Sequence, residues 1–281
     1  MARIFHQNMR RFGGNTIVRN AFFMLTFDAI RNAPGTGGAA ATSFFAAGFT
    51  ELSNSGLGLH ANIPEIIQCL DVALTNVLVI EVGITAVGGD REFVAIATDP
   101  ALYPITDAGH VLFNSMHNRW DLHNTPAGDI VDNRIDIPGG IDLQADSRGV
   151  AYVAGTYLHT DYLIGFMHNM CKEGNKSGLF EKLGQAANRM RQVPNYAAAH
   201  VVIGGDFNVQ PRHTRPRNGG LQLYACCRTD MLNFPMYTTA ANPYDYFMVS
   251  NVATTDADVE IYAQTRATPI GSDHSGVTLE V

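Results

Sequence analysis

The stretch Val201-Val202-Ile203-Gly204-Gly205-Asp206-Phe207-Asn208-Val209 decides the fold of this chain. It begins with apolar residues, passes through two glycines, and then places a carboxylate and a carboxamide two positions apart. An apolar run of this length that ends in glycines predicts a buried strand. Because alternate residues of a strand share one face, Asp206 and Asn208 should point the same way just past the strand end, where α/β proteins place their sites. An ordinary Asx turn after a strand would use the same two residues.

Two further patterns accompany this stretch downstream. Ser272-Asp273-His274 precedes an apolar segment, and Asp245 opens the strand pattern Asp245-Tyr246-Phe247-Met248-Val249. Asp is depleted in strands, so a lone Asp at the start of one is unusual. Upstream, residues 177–193 have helical periodicity and lead directly into the 201–209 strand, which fits a layered sheet.

Gly-Asp-Phe-Asn at 205–208 and Ser-Asp-His at 272–274, in this order, resemble the motifs of the endonuclease/exonuclease/phosphatase superfamily, which includes deoxyribonuclease I. The resemblance runs from Asn8 to His274 and is sharpest after residue 200. It implies one domain over residues 1–281 of mixed α/β (α+β) class. The implied architecture is a four-layer α/β/β/α sandwich, in which two packed mixed β-sheets are flanked by helices.

The resemblance also implies a set of site residues, most of them at predicted strand ends. The catalytic residues would be His168, His274, Asp245, Asp206, Asn208 and Glu92. Arg148, together with Asn208, would bind the substrate phosphate, and the metal ligands would be Glu51, Asn8 and Asp273.

The same resemblance implies how the two histidines act. His274, held by Asp245, would accept a proton from the attacking water, because a general base needs a partner on its other ring nitrogen. His168, held by Glu92, would donate to the leaving oxygen or bind the phosphate. Family members divide these tasks differently, so the assignment of base and acid stays open.

Glu81 is an alternative to Glu51 as the metal carboxylate. Glu81 lies inside an apolar strand pattern, whereas Glu51 follows the apolar run 44–50 at its end. We therefore prefer Glu51. Oxygen ligands suit Mg²⁺, with Mn²⁺ or Ca²⁺ as alternatives.

Composition limits the partners of the chain. Of its 281 residues 46% are hydrophobic and 16% charged, so it can build a sizeable core, and its net charge is −7. The chain therefore lacks the strongly basic character of proteins that bind nucleic acid by charge alone, although a nuclease that uses a divalent metal does not need it. The one basic cluster, at 211–218, would contact a nucleic-acid backbone or an anionic head group, or would be a solvated loop.

Residues 101–147 are rich in Asp, Asn, His, Gly and Pro, which predicts a long loop insertion that covers the site and selects the substrate. The spacing of His110, His117 and His123 within it does not match a metal-binding helix. The N-terminal residues show no signal peptide, and no apolar run is long enough for a membrane span. We therefore expect a monomer with reduced cysteines that is cytoplasmic or is delivered to a target cell as an effector.

These observations predict a divalent-metal-dependent phosphodiester hydrolase that uses a water activated by a His-Asp pair. The first hypothesis is a Mg²⁺-dependent endonuclease similar to deoxyribonuclease I, with DNA as its substrate and a toxin or effector role. The alternative is a phosphatase or a phospholipase C-type hydrolase that acts on inositol phosphates, phosphoinositides or sphingomyelin. A third hypothesis is a degenerate member of the superfamily that only binds a partner.

Overall fold

Two mixed β-sheets form the centre of the described molecule. The computed structural model describes residues 3–12, 17–32, 43–53, 59–84, 91–114, 117–139, 149–169, 178–215, 218–227, 244–251, 253–255, 258–262, 274 and 276–281. The strands, in chain order, are β1 (Arg3–Phe12), β2 (Phe44–Ser53), β3 (Asn76–Ile84), β4 (Arg91–Thr98), β5 (Ile105–Asn114), β6 (Arg119–Pro126), β7 (Arg134–Ile135), β8 (Val150–Tyr157), β9 (Thr160–His168), β10 (His200–Asp206), β11 (Tyr224–Cys226), β12 (Asp245–Val249), β13 (Val259–Tyr262) and β14 (Gly276–Glu280). The helices are α1 (Ile17–Arg31), α2 (Leu59–Leu70) and α3 (Leu179–Met190), with a short 3-10 helix at Ala127–Asp129.

The first sheet has the order β13-β14-β1-β2-β4-β3-β7, and the second has the order β11-β12-β10-β9-β8-β5-β6. Buried side chains of both sheets form one central core between them. Helices α1 and α2 pack on the outer face of the first sheet, and α3 packs on the outer face of the second. The predicted four-layer α/β/β/α sandwich is therefore confirmed.

The pairing of the strands places the predicted site residues side by side at one edge of the sandwich. In the second sheet Asp206 on β10 lies beside His168 on the parallel strand β9 and beside Asp245 on the antiparallel strand β12. In the first sheet Asn8 on β1 pairs with Thr50 on β2. The polar ends of these strands therefore meet at one edge of the sandwich.

The prediction of a long loop insertion at 101–147 is wrong for the residues that the structure describes there. Strands β5 and β6 form an antiparallel pair in the second sheet, and β7 lies at the edge of the first. Beside buried apolar residues such as Val111, the pair has polar contacts between strands: Asn124 Nδ2 donates to Asp107 Oδ1 at 2.8 Å, and Tyr152 Oη donates to Asn124 Oδ1 at 2.8 Å. Cross-strand pairs of this kind stabilise a sheet without an alternating sequence.

Three of the four cysteines, Cys69, Cys226 and Cys227, lie in the described residues, and Cys226 and Cys227 are buried. Within the same residues, the helices are too short or too polar to cross a membrane.

A phenylalanine ring fits between glycines where the two sheets meet. A Cβ atom built on Gly48 of β2 would lie 2.1 Å from Cγ of Phe166 on β9, and one on Gly204 of β10 would lie 3.0 Å from the same ring. Phe166 belongs to the central core and is fully buried. The glycines therefore let the sheets approach closely at this point.

We expect Gly48→Ala to lower the free energy of unfolding by about 1–3 kcal/mol, because the added methyl group overpacks the core against the base of the Phe166 ring. Urea denaturation followed by far-ultraviolet circular dichroism measures the loss. Gly128→Ala is the matched control, since a Cβ atom there meets nothing within 4 Å. Equal stability of the two variants would contradict this packing.

His110 of β5 is fully buried, two strands away from β9 in the second sheet. Burial, helped by the neighbouring His123, lowers the pKa of His110 from 6.5 to about 3. The folded chain therefore holds this imidazole neutral over most of the pH range. The unfolded chain binds a proton there once the pH falls below 6.5.

Because the unfolded state binds the extra proton, His110 should destabilise the fold as the pH falls from about 6.5 toward 3, by at most about 1.4 kcal/mol per pH unit. We expect the free energy of unfolding of His110→Leu to fall less per pH unit than that of the parent chain. Urea denaturation across this pH range measures both. The exposed His117 provides the control, and His117→Leu should keep the parent slope. A parent-like slope in His110→Leu would rule out this source of acid sensitivity.

Candidate active site

Asp206 at the end of β10 is the centre of the site. Its Oδ2 accepts hydrogen bonds from Nδ2 of Asn8 at 3.0 Å and from Nδ2 of Asn208 at 3.1 Å. Its Oδ1 accepts from the backbone N–H of Asn208 at 3.0 Å. Asp206 and Asn208 thus form an Asx turn and also present their side chains to the same side. The Asx turn and the pair of site residues predicted from the sequence are therefore both present.

A clamp fixes the turn that follows β10. Asn208 has a φ of 53°, a left-handed conformation that Asn tolerates better than most residues. Its Nδ2 donates to the carbonyl of Asn169 at 2.6 Å, while Nδ2 of Asn169 donates to the carbonyl of Phe207 at 2.9 Å. Asn169 was absent from the predicted site, and its only sequence signal was its position directly after the β9 apolar run and His168.

His168 at the end of β9 is paired with a carboxylate from the other sheet. Its Nδ1–H donates to Oε1 of Glu92, on β4, at 2.9 Å, and its Nε2 lies 3.9 Å from Oδ2 of Asp206. Burial opposes the charged form of His168, but the carboxylates of Glu92, Glu51 and Asp206, with Glu92 the largest of the three, together outweigh burial. The pKa of His168 rises from 6.5 to about 9 as a result.

His274 is also paired with a carboxylate across the two sheets, but here the histidine comes from the first sheet's side and the carboxylate from the second sheet. It lies just before β14, and its Nδ1–H donates to Oδ2 of Asp245, on β12, at 2.8 Å. Its Nε2 lies 3.7 Å from Oδ2 of Asp206. Nε2 of Gln7 donates to the carbonyl of His274 at 3.0 Å, which ties this residue to β1.

Both imidazoles therefore direct Nε2 toward one oxygen of Asp206. Burial raises the pKa of Asp206 from 3.8 to about 7, and the Asp245 charge adds to this, whereas the two histidines and the backbone N–H of Asn208 oppose it. A carboxyl group in this state can hold or release a proton near neutral pH.

Glu51 lies on an irregular part of β2, where the pairing with β4 shifts register between Phe49 and Leu52. Its φ is 60°, and its side chain is half-buried. The carboxylate is close enough to His168 to contribute to the raised pKa of that residue. Its rival Glu81 is buried and already accepts from Nη1 of Arg91 at 3.2 Å and from the backbone N–H of Ile137 at 3.0 Å.

The donor atoms at this edge fit a divalent cation. Glu51 and Asn8 can offer the hard oxygen ligands that Mg²⁺, Mn²⁺ and Ca²⁺ prefer. A second set, Asp206, Asp245 and His274, has one ligand atom from each residue within 4.8 Å of the others. Because Nδ1 of His274 and Oδ2 of Asp245 already bind each other, and because Mg²⁺ favours oxygen, the Glu51 side of the site suits Mg²⁺ better.

The structure brings most of the predicted site residues together at this edge. They are Asn8, Glu51, Glu92, His168, Asp206, Asn208, Asp245 and His274. Arg148 and Asp273 lie outside the described residues, so their roles remain predictions. His6, a fully buried residue of β1, was not predicted at all, since a histidine in an apolar strand is usually an ordinary core residue.

We expect Glu92→Gln to lower the pKa of His168 from about 9 toward or below its ordinary 6.5, because burial then meets less opposition. The stability that this ion pair contributes should be complete below pH 6.5 and should disappear as the pH rises through 9. A nuclear magnetic resonance titration of the His168 ring protons, in chelator, measures the change. Glu65→Gln, at an exposed position of α2, is the control and should leave the titration unchanged.

Comparison with solved structures gives the fold of the chain an independent basis. An endonuclease/exonuclease/phosphatase from Bacteroides vulgatus matches with a TM-score of 0.57 and 12% identity over 99% of this chain and 97% of that one. A mannosyl-6-phosphatase from Bacteroides thetaiotaomicron matches with a TM-score of 0.54 and 16% identity over 100% and 99%. The catalytic domain of human Nocturnin, with bound sulfate, matches with a TM-score of 0.57 and 10% identity over 99% and 93%.

No family model matches this sequence, and neither does any curated protein sequence. At identities this low the structural matches establish the fold and not the reaction. The chain therefore has the deoxyribonuclease I-like fold of these proteins along its whole length.

Proposed function

We propose that this chain, which has the deoxyribonuclease I-like fold, is a divalent-metal-dependent phosphodiester hydrolase and acts as an endonuclease on DNA. The observation that carries the proposal is the arrangement of His168 and His274. Each donates from Nδ1 to a carboxylate, and the two Nε2 atoms approach the same oxygen of Asp206, at 3.9 and 3.7 Å. A pair of oriented proton carriers on either side of a carboxylate suits hydrolysis of an ester by water.

His274 is the base in this proposal. Asp245 accepts the Nδ1–H, so the neutral ring carries its lone pair on Nε2, the nitrogen that would take a proton from water. Asp206, at 3.7 Å from that nitrogen, is placed to hold the water in position. The Asp245 carboxylate also stabilises the imidazolium that forms.

His168 is the acid. Its ion pair with Glu92 favours the protonated ring, so its Nε2–H can bind a phosphate oxygen and give its proton to the leaving oxygen. Nδ2 of Asn208 is held beside Asp206 by its bond to the Asn169 carbonyl, and its second hydrogen, which Asp206 accepts in this structure, would turn to the phosphoryl oxygens on which negative charge develops. Arg148 would add a bidentate donor to the same oxygens.

Glu51 and Asn8 would hold the cation, with Asp273 as a further ligand. When bound, Mg²⁺ supplies a positive charge that neutralises the phosphate and polarises its ester bond. The four carboxylates of the site, on residues 51, 92, 206 and 245, would otherwise repel an anionic substrate.

A nucleic-acid substrate is supported by the segment that follows Asn208. Arg212, His213 and Arg215 are exposed there, in a chain whose net charge is −7. Thr214 pins the segment, since its N–H donates to the carbonyl of Leu223 at 2.9 Å and its Oγ1 accepts from the N–H of Leu223 at 2.6 Å. Arginine side chains on a segment that directly follows Asn208 suit a long phosphate backbone.

The second candidate is a phosphatase or a phospholipase C-type hydrolase that acts on inositol phosphates or sphingomyelin. The similar fold of a mannosyl-6-phosphatase supports it, because the fold itself serves phosphate monoesters as well. A substrate panel of supercoiled plasmid, RNA, inositol phosphates and sphingomyelin vesicles separates the two candidates.

We expect the parent chain to nick supercoiled plasmid with Mg²⁺ and to lose this activity in EDTA. His168→Ala and His274→Ala should each lower the rate by about 10²–10⁴-fold, since each removes a proton carrier. Gel electrophoresis of the relaxed plasmid measures the rate. His117→Ala, at an exposed histidine of the β5–β6 turn, should cut at the parent rate.

Nicking that persists in both histidine variants would overturn the proposed mechanism. Hydrolysis of inositol phosphates or sphingomyelin in place of plasmid, lost in the same two variants, would establish the second candidate. An inert parent chain that still binds Mg²⁺ would leave neither candidate standing.

A further inference from the structure

His6 lies behind the His274–Asp245 pair, and the mechanism above does not use it. It belongs to β1, two residues before Asn8, and it is fully buried. Its ring stacks on Phe166 with 6.1 Å between centroids and 15° between planes. A polar ring held this firmly in a core needs partners for its two nitrogens.

Each nitrogen of His6 faces a different group. Nε2 lies 3.1 Å from Oγ1 of Thr50, a fully buried residue of β2. Nδ1 lies 3.7 Å from Oδ1 of Asp245, across the interface between the sheets. The ring therefore bridges a hydroxyl of its own sheet and the carboxylate that holds His274.

The two facing atoms, Nδ1 of His6 and Oδ1 of Asp245, are both buried, and neither has a hydrogen-bond partner within the described residues. The other oxygen of Asp245 is already bound to Nδ1 of His274 at 2.8 Å. A buried carboxylate oxygen without a donor is costly, so a donor directed at Oδ1 would fix the orientation of the whole carboxylate.

The Thr50 hydroxyl selects the tautomer that can do this. When the hydroxyl donates to Nε2, the proton of the neutral imidazole resides on Nδ1, and this N–H faces Asp245. We propose that His6 is a positioning residue, which orients Asp245 through Oδ1 and so keeps His274 aimed at Asp206. The catalytic consequence rests on the proposed function, whereas the contact itself does not.

Three variants of His6 separate its two nitrogens. His6→Asn keeps a donor near the place of Nδ1, His6→Gln keeps one near the place of Nε2, and His6→Leu removes both. We expect His6→Leu and His6→Gln to lower kcat for a fluorogenic DNA duplex by about 10–100-fold with little change in KM, as is found when the outer partner of a functional histidine is lost. His6→Asn should recover most of this loss.

Equal losses of kcat in all three variants, or a loss confined to KM, would overturn the positioning role. If His6→Leu does not fold, Thr50→Val provides the second test, with Thr50→Ser as its matched control. Thr50→Val removes the hydroxyl that selects the tautomer and should lower kcat, whereas Thr50→Ser should retain it.

A spectroscopic measurement tests the contact without any activity. The Nδ1–H of His274, bonded to a carboxylate, should give a low-field proton resonance that is absent from His274→Gln. We expect this resonance to shift and broaden in His6→Leu and His6→Gln and to stay sharp in His6→Asn. An unchanged resonance in His6→Leu would refute the proposal.

The same measurement keeps the two proposals apart. If the resonance responds as expected while no phosphoester is cleaved, the proposed function fails and the positioning contact stands. If cleavage depends on His274 while its Nδ1–H resonance is unchanged in the His6 variants, the positioning role is refuted and the proposed function stands.

Discussion

Three buried polar contacts join the first sheet to the second, and the rest of the site depends on them. Asn8 donates to Asp206, His168 donates to Glu92, and His274, just before β14, donates to Asp245, so each contact links one sheet to the other. A slide of one sheet over the other would break all three together. The glycines around Phe166 fix the sheets in register, since that ring fits only where no Cβ atom stands in its way.

The charges of the site follow from this arrangement. Among the described residues, four carboxylates converge with two histidines that can carry a positive charge near neutral pH, His168 and His274, because burial lowers the pKa of the third, His6, to about 4. This largely buried edge therefore holds more acidic than basic groups. Such a surplus is costly unless it is paired, and it would also repel a phosphate ester. In the proposed hydrolase a divalent cation would meet both demands, and oxygen donors such as Glu51 would hold it next to the substrate phosphate.

Most of the fold and of the site was accessible from the sequence, because long apolar runs such as 201–205 set the strands and polar residues followed them directly. The pairing of His274 with Asp245 was predicted from motifs and is present. Strands β5 and β6 were missed because their buried apolar residues alternate irregularly with polar residues that pair across the strands, and no local periodicity reports such contacts. His6 was missed for a related reason, since its partner Asp245 lies in the other sheet, 239 positions away along the chain.

At position 51 the candidate site and the stability of the fold favour different residue types. Its backbone has a φ of 60°, which costs of the order of 1–3 kcal/mol for a residue other than glycine. Glycine or asparagine at this position would relieve the strain and would also delete the carboxylate. Selection for heat resistance alone would therefore replace Glu51 early, and its retention in a thermostabilised descendant would support the proposed metal-binding role of its carboxylate.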